Sequence, residues 1–116
     1  MSRDPQRLPD YLGHILEAIE RIHSYVEDVD EVGFLSSKII QDAVIRNLEV
    51  IGEACNNVVK NHPDFAQKHA HVPWGFAYEM RNALAHGYFT VDLGIVWQTV
   101  QNDLPALRAQ VAALLL

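Results

Sequence analysis

Residues 37–61, SKIIQDAVIRNLEVIGEACNNVVKN, form the longest stretch of this sequence with a helical repeat of apolar side chains. Ser36 or Ser37 can act as an N-cap by accepting a hydrogen bond from a free N–H of the first turn. Pro63 ends the segment because proline lacks the N–H that a continuing helix needs. The spacing of three and four residues predicts one long amphipathic helix to about Asn61. Its apolar stripe consists of Ile40, Ala43, Val44, Leu48, Ile51, Cys55, Val58 and Val59.

This helix also carries apolar residues away from its main stripe, namely Ile39, Val50 and Ala54. Gly52 lies in its middle, where glycine costs about 1 kcal/mol of helix stability relative to alanine. A glycine at such a position favours the close approach of another helix. Two apolar faces are compatible with self-association and equally with a central helix that its own neighbours cover.

Elements of similar character precede and follow the long helix. A first helix is predicted from Pro9 to Asp28, with proline and aspartate at its start and one apolar stripe. A loop that contains Gly33 should connect it to the long helix. Residues 62–72 are polar and predict irregular chain with at most one short turn.

The C-terminal third predicts two further helical regions. Residues 73–87 begin with Pro-Trp and end with a glycine, as the ends of a helix often do. The last region starts at Thr90 or Asp92, and NDLP at 102–105 should break or kink it. The sequence therefore predicts a single all-α domain over residues 1–116, a bundle of about five helices with a kinked C-terminal helix.

Composition narrows the classes of function. Apolar residues make up 49% of the 116 residues, enough for a core, and the formal net charge is −6. Proteins that bind nucleic acids indiscriminately usually have basic surfaces, and this protein is acidic. Any contact with a nucleic acid therefore needs a local basic cleft. The single cysteine, Cys55, excludes an internal disulfide and is typical of a reducing cytoplasm. We see neither a signal peptide nor a stretch long and apolar enough to span a membrane.

Residues 81–88, RNALAHGY, concentrate polar chemistry in an otherwise apolar segment. Arg81 offers a planar fork of donors that suits phosphate, and His86 can exchange a proton near neutral pH. Asn82 and His86 are four residues apart and share a helix face. Without further context, such an arginine is more often a surface charge and such a histidine a structural one. The residues alone leave both interpretations open.

The flanking sequence adds a resemblance. The Arg-x4-His-x-Tyr pattern of residues 81–88 is similar to the signature of the HEPN superfamily, specifically of its HepT-like toxins. Three further segments resemble that family in the same order along the chain. They are RNLEVIGEA at 46–54, VDLGIVW at 91–97 and NDLP at 102–105. The resemblance covers nearly the whole chain and implies a HEPN-like helical bundle.

The resemblance also implies a function. HepT-like proteins are metal-independent endoribonucleases that need no cofactor and act as cytoplasmic homodimers, with both signature helices lining one cleft. Arg81, Asn82 and His86 would be the catalytic residues for an RNA substrate. In this type VII toxin–antitoxin system, a minimal nucleotidyltransferase antitoxin would silence the toxin by attaching AMP to Tyr88. Two copies of Arg81, with Arg46 nearby, would offset the acidic net charge in the cleft.

A rival interpretation and several weaker candidates remain. In the rival interpretation, the chain is a non-catalytic helical module that binds a nucleotide or a nucleotidyltransferase. His69 and His71 could bind a metal ion, but two ligands do not make a site. We interpret His14 and His23 as structural residues of the first helix. Glu53 faces solvent or, if the long helix lines the cleft, contributes a supporting carboxylate.

Overall fold

The computed structural model describes residues 7–86 and 91–115 and contains no β-strand within them. The chain forms an all-α bundle, which confirms the predicted fold class. Its elements are α1 (Leu8–Val26), α2 (Glu31–Ser36), α3 (Lys38–Asn61), α4 (Pro63–Lys68), α5 (Trp74–His86), α6 (Leu93–Gln98), a π-helical turn (Thr99–Asp103) and α7 (Leu104–Leu114). Within the same residues, no helix combines the length and apolar character needed to cross a membrane.

Helix α3 begins and ends close to where the sequence predicts. The Oγ atom of Ser37 accepts a hydrogen bond from the N–H of Ile40 at 3.3 Å, so Ser37 is the N-cap. The helix ends at Asn61, and Pro63 starts α4 two residues later. α3 packs chiefly against α1 on one side and α5 on the other, which makes it the central helix of the bundle.

The core centres on the contact between α1 and α3 and includes buried residues from each of the other helices. Phe34 of α2 and Ile15 and Ile22 of α1 are fully buried, and the Phe34 ring lies 5.3 Å from that of Trp97 between centroids. Trp74 and Trp97 are both core residues. Burying one large aliphatic or aromatic side chain contributes about 1.5–3 kcal/mol, so this cluster supplies most of the driving force for folding.

Two segments that the sequence predicts as loops contain short helices. The predicted loop around Gly33 is α2, and Asp30 caps it by accepting the N–H of Gly33 at 2.8 Å. The polar stretch 62–72 contains α4, which has proline in its first turn. Both helices have six residues. A helix this short shows too few turns for a periodic pattern to reveal it.

The predicted kink in the last helix is a π-helical turn. The N–H of Leu104 donates to the carbonyl of Thr99, five residues back rather than four. Pro105 lies in the first turn of α7, where it cannot donate a backbone hydrogen bond. The helix accommodates the proline through this wider turn and continues instead of breaking.

The second apolar face of α3 is covered from within the chain only in part, and Val50 on this face stays partly exposed. A Cβ atom at Gly52 would collide with the Cβ of Arg81 and lie 2.6 Å from the carbonyl oxygen of Ala77, both in α5. Ala54 is buried as well. Ile39, at the start of the helix, is 83% exposed. At Gly52, therefore, the close approach is that of the chain's own α5.

Candidate functional site

Arg81 occupies the contact between α5 and α3. The Cβ and Cγ atoms of its stem lie over Gly52, and the side chain lines a pocket together with residues of α1 and α3. One terminal nitrogen lies 3.3 Å from a carboxylate oxygen of Glu53, and the other donates to the side-chain oxygen of Asn82 at 2.9 Å. The Arg81 side chain is 32% exposed, so the two contacts hold it in place and leave part of it open to a ligand.

A polar pocket of about 370 Å³ opens beside this arginine. Its size lies in the range of small-molecule sites. Two apolar side chains, Val50 and Ala54, belong to its lining. Its polar lining comes from α1, α3 and α5 and consists of His14, Arg46, Glu49, Glu53, Asn57 and Arg81.

The pocket contains charges of both signs in equal number. Arg46 and Arg81 contribute two positive charges, and Glu49 and Glu53 contribute two negative ones. Arg46, Glu49, Glu53 and Asn57 follow at intervals of three or four residues, which places them along one face of α3. This face forms one wall of the pocket, and Arg81 reaches into the same space from α5.

The structure brings part of the predicted site together. Arg81 and Asn82 are in direct contact, with Asn82 oriented toward the guanidinium. His86 is the last residue of α5, but its side chain lies outside the described part of the chain. Tyr88 lies outside the described residues altogether. The roles of all four residues stay predictions.

Two features of the pocket go beyond the predicted site. Glu53 is half exposed and pairs with Arg81, so it is not simply a solvated charge. The interpretation of His14 and His23 as structural residues is wrong, since both are exposed and His14 lines the pocket. Ile15, the residue after His14, belongs to the buried apolar stripe of α1, whereas His14 lies off that stripe. No pattern in the sequence indicates that α1 contributes to the site.

Cys55 is a buried core residue, as predicted. Burial raises the pKa of its thiol from 9.0 to about 12, because a thiolate would lose its hydration there. The thiol therefore stays protonated at neutral pH, and Cys55 is not a nucleophile. The rings of His69 and His71 lie 5.8 Å apart, but no group of three or more potential metal ligands occurs in residues 7–86 and 91–115.

These features define a class: a helical-bundle protein that presents a partly exposed arginine, held by a carboxylate and an amide, at the rim of a polar pocket. Residues 15–114 match the family model described as "Ribonuclease HepT-like", and the chain belongs to this family. The family assignment agrees with the resemblance seen in the sequence.

Similar proteins carry related names. The "Probable ribonuclease HepT" of Thermococcus cleftensis is 43% identical over 101 residues, which cover 87% of this chain and 89% of that protein. A provisionally named RNase of Caldanaerobacter subterraneus subsp. tengcongensis is 37% identical, with coverage of 90% and 91%.

A third relative, from Methanocaldococcus jannaschii, is 48% identical over 102 residues. Its name joins a gamma-glutamylcyclotransferase to a provisionally assigned RNase. The match covers 87% of this chain but only 44% of that protein, so this chain spans less than half of its length. No solved structure matches the chain.

Proposed function

We propose that this protein is a ribonuclease that cleaves RNA with Arg81 and His86 and requires no metal ion. Membership in the HepT-like ribonuclease family and the RNase names of its relatives support the activity. The single observation that carries the site is the guanidinium of Arg81, which two neighbouring side chains hold at the rim of an open polar pocket.

The chemistry is dictated by the substrate. RNA has its own nucleophile, the 2′-hydroxyl next to the scissile phosphate. A base must remove the hydroxyl proton, an acid must protonate the leaving 5′-oxygen, and a cation must stabilise the charge that develops on the phosphate. Arg81 would bind that phosphate through two parallel hydrogen bonds, and His86 would act as base or acid. The expected product is a 2′,3′-cyclic phosphate.

The proposal includes a homodimer. One histidine of a single chain cannot serve at once as the base and as the acid. A cleft shared by two copies would bring two His86 imidazoles and two Arg81 guanidiniums to one RNA strand. The doubled positive charge would draw RNA to a protein whose formal net charge is −6 per chain.

Cleavage in the presence of a chelator tests this function. The purified protein should cut RNA in excess EDTA, and His86→Ala should reduce the rate by about 10²–10⁴-fold, the usual contribution of a general acid or base. His23→Ala is the matched control, since His23 is an exposed histidine that lies outside the pocket beside Arg81.

Other outcomes of the same assay would contradict the proposal. A His86→Ala variant as fast as the wild type would remove His86 from the site. Cleavage that requires added Mg²⁺ would refute the metal-independent mechanism. A wild-type protein that binds nucleotides but cuts no RNA would favour the alternative, a non-catalytic nucleotide- or nucleotidyltransferase-binding module.

We further propose that a minimal nucleotidyltransferase antitoxin inactivates this protein by transferring AMP from ATP to the hydroxyl of Tyr88, with release of pyrophosphate. The added phosphodiester would place negative charge beside Arg81 and repel the RNA backbone. Incubation of both proteins with ATP should add whole AMP units to the mass of the chain and abolish cleavage. Tyr88→Phe should stay unmodified and active, whereas the control Tyr25→Phe, at an exposed tyrosine of α1, should still be modified.

A further inference from the structure

The pocket beside Arg81 contains more negative charge than a phosphate site needs. RNA carries one negative charge per phosphate, and proteins hold the backbone chiefly with lysine and arginine. Carboxylates repel it. Two of the four charged side chains in this pocket are nevertheless glutamates, Glu49 and Glu53. Each of them requires a reason other than phosphate binding.

Glu53 is explained by its ion pair with Arg81, whose guanidinium lies 3.3 Å from its carboxylate. Glu49 lies four residues earlier, on the same face of α3, and is half-buried in the pocket wall. The ion pairs among the described residues do not include it. Its carboxylate thus faces a space that is large enough for a ligand and offers that ligand two adjacent acceptor oxygens.

Among the four RNA bases, guanine matches two adjacent acceptors best. Its Watson–Crick edge presents two neighbouring donors, N1–H and the N2 amino group. Adenine and cytosine each place a donor beside an acceptor, and uracil has a single donor between two acceptors. Single-stranded RNA is commonly recognised through such edges once its bases are unstacked.

The remaining lining suits the other parts of a nucleotide. Arg46, one turn before Glu49 on α3, can bind a phosphate next to the base. Val50 and Ala54 offer an apolar contact for the flat face of the ring. His14 enters the pocket from α1, and its imidazole can stack on a base.

We propose that this pocket is a guanine-binding subsite, in which Glu49 accepts hydrogen bonds from N1–H and N2–H of a guanine in the RNA. Arg46 binds the phosphate of the same nucleotide, and His14 stacks on the base. The inference rests on the proposed ribonuclease function, since Arg81 would hold the scissile phosphate at the rim of the pocket. The subsite makes the protein selective for cleavage next to guanine.

Mononucleotide binding tests the subsite without any need for cleavage. Calorimetry with the 3′-monophosphates of the four nucleosides should show tightest binding of the guanosine compound. Glu49→Gln replaces one acceptor oxygen by a donor and should weaken that compound about tenfold, the usual worth of a bidentate base contact. Binding of the other three should not weaken. Glu27→Gln is the matched control, because it removes the same charge from an exposed position at the end of α1, outside the pocket.

His14→Ala provides a second, independent variant. Stacking does not distinguish bases strongly, so this substitution should weaken all four mononucleotides by a similar factor of about ten. A loss confined to the guanosine compound, or no loss at all, would refute the stacking role. The far-ultraviolet circular dichroism of each variant should match that of the wild type, since all substituted side chains are at least partly exposed.

Sequencing of cleavage products then separates this inference from the proposed function. Wild-type cuts should cluster at one fixed position relative to guanine, and Glu49→Gln should lose this preference. Cuts without any preference for guanine, or equal binding of all four mononucleotides, would overturn the subsite and leave the ribonuclease assignment intact. Selective binding of the guanosine compound by a protein that never cuts RNA would support the subsite and contradict the ribonuclease.

Discussion

Gly52 determines how closely α5 can approach α3 and thereby where Arg81 lies. The carbonyl oxygen of Ala77 occupies the space that a side chain at this position would need, and so does the stem of Arg81 itself. A backbone carbonyl cannot rotate away as the end of a flexible side chain can. The position of the candidate phosphate-binding group therefore depends on the absence of one methyl group in the neighbouring helix.

Gly52→Ala should destabilise the protein although alanine favours helices. The gain in helix propensity is about 1 kcal/mol, whereas overpacking at a helix contact costs typically about 1–3 kcal/mol. Because both obstructing groups belong to α5, the helices must separate, and we expect a net loss of up to about 2 kcal/mol together with lower activity. Urea denaturation measures the first effect and RNA cleavage the second.

Gly13→Ala is the matched control for that substitution. Gly13 also lies inside a helix, but nothing approaches a Cβ at this position within 4 Å. This variant should gain up to about 1 kcal/mol and keep its activity. An equal loss of stability in both variants would show that helix packing at Gly52 is not the cause.

Cys55 should make the protein less stable in alkaline solution. Its pKa is raised to about 12 in the folded protein from 9.0, so the folded state holds the proton more tightly than the unfolded chain does. This contribution is fully present below about pH 9 and is lost as the pH rises toward about 12, by up to about 1.4 kcal/mol per pH unit. The free energy of unfolding, measured between about pH 9 and pH 12, should fall less steeply with pH for Cys55→Ala than for the wild type. An equal fall in both proteins would contradict the raised pKa of the buried thiol.

At the level of single residues, the sequence reveals the site only in part. Arg81 and Asn82 are neighbours in one motif and can be recognised together. Glu53 and His14 lie on other helices, and only tertiary packing brings them to the arginine or its pocket. Their side chains carry no local pattern that distinguishes them from solvated surface residues.

Helix α6 depends on its N-cap. A single carboxylate oxygen of Asp92 accepts the N–H groups of Gly94 at 2.9 Å and Ile95 at 3.2 Å. Asp92→Ala leaves both donors without this partner and should cost about 1 kcal/mol of unfolding free energy. Asp92→Asn is the control, because asparagine caps helices about as well as aspartate. Thermal denaturation should find the alanine variant alone destabilised, and a matching loss in the asparagine variant would point to charge instead of capping.

The predictability of the elements depends on their length. α1 and α3 each contain several turns, so their apolar stripes repeat often enough to predict that these helices exist and approximately where they end. α2 and α4 have six residues each, and their cues are a capping aspartate and a proline in the first turn. Those residues also occur in turns, which is why the sequence favours loops there.

The whole molecule should be a homodimer in solution. Gly52 is covered by the chain's own α5, so this expectation now rests on the resemblance to HepT-like toxins and on the exposed apolar side chains Ile39, Phe76 and Ile95. Light scattering at low micromolar concentration should give twice the chain mass of 13.1 kDa. A monomer would contradict the shared cleft but leave the pocket of the single chain in place.

A surface ion pair connects the first and the last helix of the bundle. Arg108 of α7 contacts Glu20 of α1, and both side chains are about half exposed. Such a pair contributes little stability, in the range of about 0–1 kcal/mol. Leu104, Leu107 and Val111 of α7 are buried in the core, and their burial contributes more to the position of α7 than this ion pair does.

The wide turn at Thr99–Asp103 makes this helix tolerant of a change that would ruin most others. A π-helical turn contains one residue more than an α-helical turn, so removing one residue there should restore a regular α-helix without rotating the residues of α7. Elsewhere a deletion turns every later side chain by about 100°. A chain shortened by the exposed Asn102 should therefore keep Leu107 and Val111 in the core and fold, whereas one shortened by the exposed Glu17 of α1 should not. At this turn, therefore, the chain can lose one residue while the packing of the core stays the same.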